Sequence, residues 1–141
     1  MQQYFKSPIG IMEIIFDKDS VSEINFVKKK LRNESNKVIK QLSKYFSGVK
    51  KEFDVKLKLD GTKFQKRVWQ QLLKIPYGKT ATYSYVAKAI GKPKAVRAVA
   101  NAIAANKIPI IIPCHRVVGK KGLGGFSCGV WRKKYLLELE K

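Results

Sequence analysis

A chain of 141 residues, 45% of them hydrophobic, is long enough for one domain or two small ones and too apolar for a disordered segment. No apolar run approaches the ~20 residues of a membrane span, and the opening MQQYFKSPIG lacks a signal-peptide core, so a soluble, cytoplasmic protein is expected. Thirty Lys and Arg against ten Asp and Glu give a net charge of +20, a field that draws polyanions, nucleic acid first and an anionic membrane surface second.

Residues 1–59 read as a small α/β domain with a short antiparallel sheet. QQYFKS, IMEIIF and VSEINFV alternate like three strands, with the turn DKDS between the last two. A helix is predicted from about Glu34 to Phe46, its apolar stripe made of Val38, Ile39, Leu42, Tyr45 and Phe46. EFDVKLKL alternates like a further strand. None of these segments carries a catalytic pattern.

LDGT marks a boundary, and residues 60–141 form the second, mainly helical domain. Thr62 and Gln65 make a capping-box pattern that opens a helix to about Lys74, with Phe64, Val68 and Leu72 along one side. IPYG ends it. Two short helices follow, Thr82 to Ile90 and Lys94 to Ala105, joined by GKP. Tyr83, Val86, Ala87 and Ile90 share a face of the first, and the short Gly-containing turn suggests a helix-turn-helix. In the second, Val96, Val99, Ala100 and Ile103 take the core side. Its other side shows Lys94, Arg97, Ala98, Asn101 and Ala105. Such a bare face lets a backbone approach a groove while one long cation reaches inside. A solvated helix of good helix formers is the alternative, and the net charge tips the balance toward a nucleic-acid groove. A glycine-rich loop, GKKGLGGFSCG, then leads to a last helix, VWRKKYLLELEK. The loop lacks the GK[ST] of a phosphate loop.

IPIIIPCHRVV, residues 108–118, puts Cys114 beside His115, the chain's only histidine. With Cys128 that makes three soft ligands, one short of a closed zinc site, in a spacing that fits no common zinc pattern. No metal and no cofactor are expected. A reactive thiol needs a nearby base or positive charge, yet neighbours on an extended chain point apart. His115 therefore reaches Cys114 only if the chain turns there or a water bridges them. A buried structural cysteine fits these residues equally well. Glu140, beside the apolar face of the last helix, reads on its own as a frayed terminal carboxylate.

IPCHRVV resembles the active-site signature of the O6-alkylguanine-DNA alkyltransferases, also called methylated-DNA–protein-cysteine methyltransferases, and the similarity runs from about Phe64 to Glu140. The resemblance implies direct reversal of O6-alkylguanine in duplex DNA. The damaged nucleotide is flipped out and its alkyl group passes irreversibly to Cys114, one lesion per protein molecule. It implies that His115 draws the thiol proton through a water and that Glu140 orients His115. Asn106 would brace the active-site turn, Arg97 fill the gap in the stack, and Tyr83 promote rotation of the nucleotide, a core role being its rival. Val117 would offer a carbonyl to the base and Ser127 a contact near O6. Lys94, Ala98 and Asn101 would lie against the DNA. The protein is expected to act as a monomer, near the nucleoid through its DNA, without a membrane partner. Phe126 stands where several members carry Tyr, Cys128 where Gly is common, and Lys107 where many have Pro. The rivals are an alkyltransferase-like lesion binder, which lacks the acceptor Cys, a helix-turn-helix transcription factor, and a Cys-His hydrolase.

Overall fold

The computed structural model describes residues 2–28, 36–49 and 51–141. The chain divides into two compact units, Met1–Leu59 and Asp60–Lys141, built from helices and short sheets in the mixed α/β manner read from the sequence.

In the first unit β1 (Gln2–Ser7), β2 (Gly10–Asp17) and β3 (Ser20–Val27) form an antiparallel meander. Alternation does what it should: Met12, Ile14, Phe16, Val21 and Ile24 are all buried on one side. The helix α1 (Lys37–Phe46) starts at the Asn36 cap, whose side chain accepts from the Ile39 amide. The part of the predicted helix around Glu34 lies outside the described residues. The whole predicted stripe of α1 is buried, at ~1.5–3 kcal/mol of transfer free energy per large side chain. Phe46 meets Phe5 of β1 at 6.0 Å between ring centroids.

The strand expected at EFDVKLKL does not form. The segment is extended and its apolar residues turn inward, but it pairs with the sheet only at one bridge, Leu57 to Val21. Elsewhere its backbone finds a different partner: the Gln41 side chain donates to the Asp54 carbonyl at 2.9 Å and accepts from the Asp54 amide at 2.8 Å. Alternation reports which side chains are buried, while a strand also needs a ladder of neighbours.

The second unit opens with α2 (Lys63–Leu72), and Thr62 and Gln65 close the reciprocal cap predicted for it. Its buried side chains are Val68, Trp69 and Leu72, so Trp69 joins the stripe while Phe64 is only half-buried. Next come β4 (Ala81–Thr82), α3 (Tyr83–Ala89) and α4 (Val96–Ala104). Gly91, at φ 79°, takes the left-handed conformation that lets α3 stop and the chain turn toward α4. The buried side of α4 is Val99, Ala102 and Ile103, with Val96 and Ala100 half-buried, and Lys94 sits in the preceding turn rather than on the helix. Arg97, Ala98, Asn101 and Ala105 are exposed, as expected. The chain ends in β5 (Val117–Val118), which pairs in parallel with β4, and α5 (Val130–Leu139). Strands of two residues have no periodicity to read, and the sequence gives no sign of this pair. No helix among the described residues is long and apolar enough to cross a membrane.

Trp69 locks α2 to α4: its indole N–H donates to the Ala102 carbonyl at 2.8 Å, one of the carbonyls that the end of α4 leaves unpaired. Trp69→Phe keeps most of the apolar volume and orphans that carbonyl. Chemical denaturation is expected to show a loss of ~1–3 kcal/mol; an unchanged midpoint would mean that the bond contributes nothing to stability.

Candidate active site

The segment before Cys114 is built around one amide side chain. Asn106 is buried; its Oδ1 accepts from the Ile108 amide at 3.0 Å and its Nδ2 donates to the Ile112 carbonyl at 2.9 Å. The Ile112 amide closes the same loop onto the Ile108 carbonyl at 3.0 Å. Inside it Ile110 is held at φ 76°, a left-handed conformation that costs a β-branched residue ~1–3 kcal/mol. Burial of Ile108, Ile110, Ile111 and Ile112 offsets that cost. After Pro113 the chain does not stay extended: Cys114–Arg116 is a single tight turn, with the Arg116 amide donating to the Pro113 carbonyl at 3.0 Å. The turn removes the objection that neighbouring residues must point apart.

His115 is wholly buried, and its Nε2 donates to Glu140 Oε2 at 2.6 Å. Burial pushes the imidazole below its ordinary pKa despite the pull of Glu140, so it rests neutral at pH 7. With its hydrogen on Nε2, the ring presents a bare lone pair at Nδ1, which has no partner among the described residues. Glu140 is far from frayed. It is 3% exposed and accepts from Arg116 Nε at 2.8 Å and Nη2 at 3.0 Å, while Arg116 Nη1 donates to the Ile75 carbonyl at 2.8 Å.

Cys114 lies at the edge of a cavity of about 210 Å3 shared with Tyr83, Asn101, Gly125, Phe126 and Ser127. Burial raises its thiol to about 12, against smaller opposing effects from Asn106 and Lys133. Tyr83 is half-buried, and burial pushes its hydroxyl above its ordinary range, against the Gly125 backbone hydrogen bond, which favours the ionised form, and with a smaller push in the same direction as burial from Cys114. Gly124, at φ 73°, lies so near that a Cβ there would sit 2.8 Å from the Tyr83 hydroxyl. Lys133 is fully buried and binds the loop to the strand: Nζ donates to the Val117 carbonyl at 2.6 Å and the Gly125 carbonyl at 3.0 Å. Desolvation lowers its pKa to about 8, and a nearby thiolate at Cys114 would raise it.

Residues 63–141 match the family model described as the 6-O-methylguanine DNA methyltransferase, DNA binding domain. A probable methylated-DNA–protein-cysteine methyltransferase of Acanthamoeba polyphaga mimivirus is 45% identical over 99% of this chain and 95% of its own length. The chain belongs to the methylated-DNA–protein-cysteine methyltransferase family. A member from Methanosarcina acetivorans is 46% identical over 96% of this chain and 95% of its own. The crystal structure of the Mycobacterium tuberculosis OGT in complex with DNA superposes with a TM-score of 0.91 at 42% identity, covering 99% of this chain and 92% of that one.

Among the residues singled out from the sequence, the fold brings Cys114, Tyr83, Asn101 and Ser127 to one cavity, with His115, Glu140 and Asn106 packed behind it. Arg97, Lys94 and Ala98 are exposed and do not line it. Val117 is buried, and its carbonyl has one lone pair already taken by Lys133. Three members of the site escaped sequence reasoning: Lys133, Arg116 as the second partner of Glu140, and the strained Ile110. Lys133 offered one signal, a lysine one turn before the buried Leu136, where an apolar residue belongs. The family departures are mild. Phe126 lines the cavity without a hydroxyl, Cys128 is half-buried with its thiol raised by burial, and Lys107 makes an exposed ion pair with Asp60 at 3.4 Å.

A thiol raised to about 12 is almost wholly protonated at neutral pH, and its thiolate fraction grows tenfold per pH unit below that value. Alkylation of Cys114 by iodoacetamide, followed by mass spectrometry between pH 6.5 and 8, is therefore expected to climb about tenfold per unit. A plateau in that window would mean that the resting cysteine is already an activated thiolate.

Proposed function

We propose that this protein reverses O6-alkylguanine in duplex DNA by moving the alkyl group onto Cys114. The observation that carries the reading is the series Glu140, His115, Cys114: a buried carboxylate on Nε2, a free Nδ1 lone pair, and a thiol facing a cavity. The base partner is oriented before the substrate arrives, which is what general-base activation of a thiol requires.

In the reaction the Cys114 sulfur bonds to the alkyl carbon as the carbon–O6 bond breaks. The thiol proton passes to His115 Nδ1 through a bridging water and ends on the departing guanine. The thiolate formed on the way is stabilised by the Lys133 ammonium, whose charge couples to Cys114. Tyr83, protonated at neutral pH, supplies a hydroxyl donor to the purine, and Ser127 a second. The resulting thioether has no leaving tendency, so each molecule acts once.

Residues 60–141 hold 17 of the 30 Lys and Arg but only three acids, and one of these, Glu140, is neutralised internally by Arg116. The positive field therefore belongs mainly to the unit with α3 and α4. The small residues of α4 allow close approach to a groove, where Arg97 takes the space of the extruded nucleotide. Recognition of this kind is independent of sequence, as a lesion that can arise anywhere demands. A cytoplasmic location next to the nucleoid follows from the DNA partner. Binding without transfer, the reading suited to alkyltransferase-like proteins, is disfavoured by the presence of Cys114.

Duplex carrying radiolabelled O6-methylguanine is expected to transfer about one equivalent of label per protein. Cys114→Ser should abolish transfer while leaving DNA binding intact; repeated turnover, or full labelling of the serine variant, would refute the assignment. Arg97→Ala is expected to slow transfer from duplex by tenfold or more, since flipping costs a few kcal/mol of unstacking (~1.4 kcal/mol per decade), and to leave transfer from the free base unchanged. Equal losses on both substrates would deny Arg97 a part in flipping.

A further inference from the structure

A second cavity of the Asp60–Lys141 unit encloses about 500 Å3, more than twice the reactive pocket. Ile75, Pro76 and Ala81 give it apolar lining, the exposed Lys74 and Lys79 give it two cations, and no acid among the described residues lines it. Tyr85 completes it, an aromatic ring left 57% exposed. Two positions separate Tyr85 from Tyr83, about 200° around a helix. The first turn of α3 is thus a partition, with Tyr83 on the side of Cys114 and Tyr85 on the side of this cleft. The cleft is also tied to the reactive turn, because Ile75 accepts from Arg116 and Ala81 pairs with Val117.

A flat ring at the mouth of an apolar hollow, flanked by cations and free of acids, suits a ligand with an aromatic face and a phosphate. Paired DNA offers phosphates but hides its base faces in the stack, leaving Tyr85 and the apolar lining without a function. An unpaired nucleotide offers both. Resting on the DNA-binding reading above, we infer that this cleft is a second nucleic-acid subsite that holds one unpaired nucleotide of a DNA strand. Its base lies on Tyr85 and its phosphate is met by Lys74 and Lys79.

The test uses the full chain and an oligothymidylate bearing one 5-iodouracil. Irradiation is expected to place the crosslink on Tyr85, mapped by mass spectrometry. Tyr85→Ala should weaken binding of the unmodified oligothymidylate roughly 5- to 150-fold, the usual range for one stacked base. The double change Lys74→Ala and Lys79→Ala should lower the slope of log K against log salt by ~0.7 for each phosphate that the two lysines neutralise. Crosslinks confined to other residues, with all three variants binding like the parent, would overturn the subsite. Competition by thymidine monophosphate as strong as that by the strand, nucleotide for nucleotide, would overturn it in favour of a small-molecule site. Label transfer from duplex O6-methylguanine to Cys114, measured on the same parent protein, separates the two ideas. Transfer without a Tyr85 crosslink sinks the subsite alone, whereas a crosslink without transfer sinks the repair reading and leaves the subsite standing.

Discussion

The carboxylate of Glu140 holds the reactive end of this molecule together. It is the residue after α5, and it accepts from both an imidazole and a guanidinium that belong to the turn carrying Cys114. Burying a carboxylate costs several kcal/mol unless its oxygens are fully met. Here Oε2 takes His115 and Arg116 Nη2, and Oε1 takes Arg116 Nε. The arrangement fixes the imidazole tautomer, turns Nδ1 into a base, and links the C-terminus of the chain to the segment 114–116. Arg116 carries the link on to the Ile75 carbonyl, beyond α2. One charged group thus has structural and chemical roles that cannot be separated.

Resting reactivity is suppressed by the same burial. The thiol sits far above its ordinary pKa and the imidazole below its own, so the site holds a neutral pair rather than a thiolate–imidazolium pair. A single-use acceptor gains from this, since a free thiolate would be spent on stray electrophiles. In the proposed reaction, activation is left to the moment when a substrate fills the cavity and the Lys133 ammonium, whose charge couples to Cys114, compensates the charge that forms on sulfur. Lys133 also fastens Val117 to Gly125, so the cation electrostatically coupled to Cys114 shapes the loop that walls the cavity.

Much of this was legible from the residues themselves. The meander of β1–β3, the stripe of α1, the Thr62 cap and the bare face of α4 all follow from local periodicity and capping chemistry. Such patterns depend on neighbours about two to four positions away. EFDVKLKL shows where local pattern stops: its alternation was real, but Gln41, far off in sequence, supplied the hydrogen bonds that a ladder would have made. The β4–β5 pair was hidden for the complementary reason, because two residues contain no period. Ile110 was equally silent, since nothing in a run of isoleucines says which one the Asn106 brace will force into a left-handed turn.

The amino-acid order alone determined that a cysteine and a histidine stand together after an apolar run, that the charge is strongly positive, and that a helix pair with a small-residue face precedes them. It could not decide whether Cys114 was inert or reactive, or whether Glu140 was frayed or buried. Both answers depend on pairs about 25 residues apart, such as His115 with Glu140. Only packing α5 against the turn after Pro113 removes water from those groups, and it is the loss of water that sets their protonation and their partners.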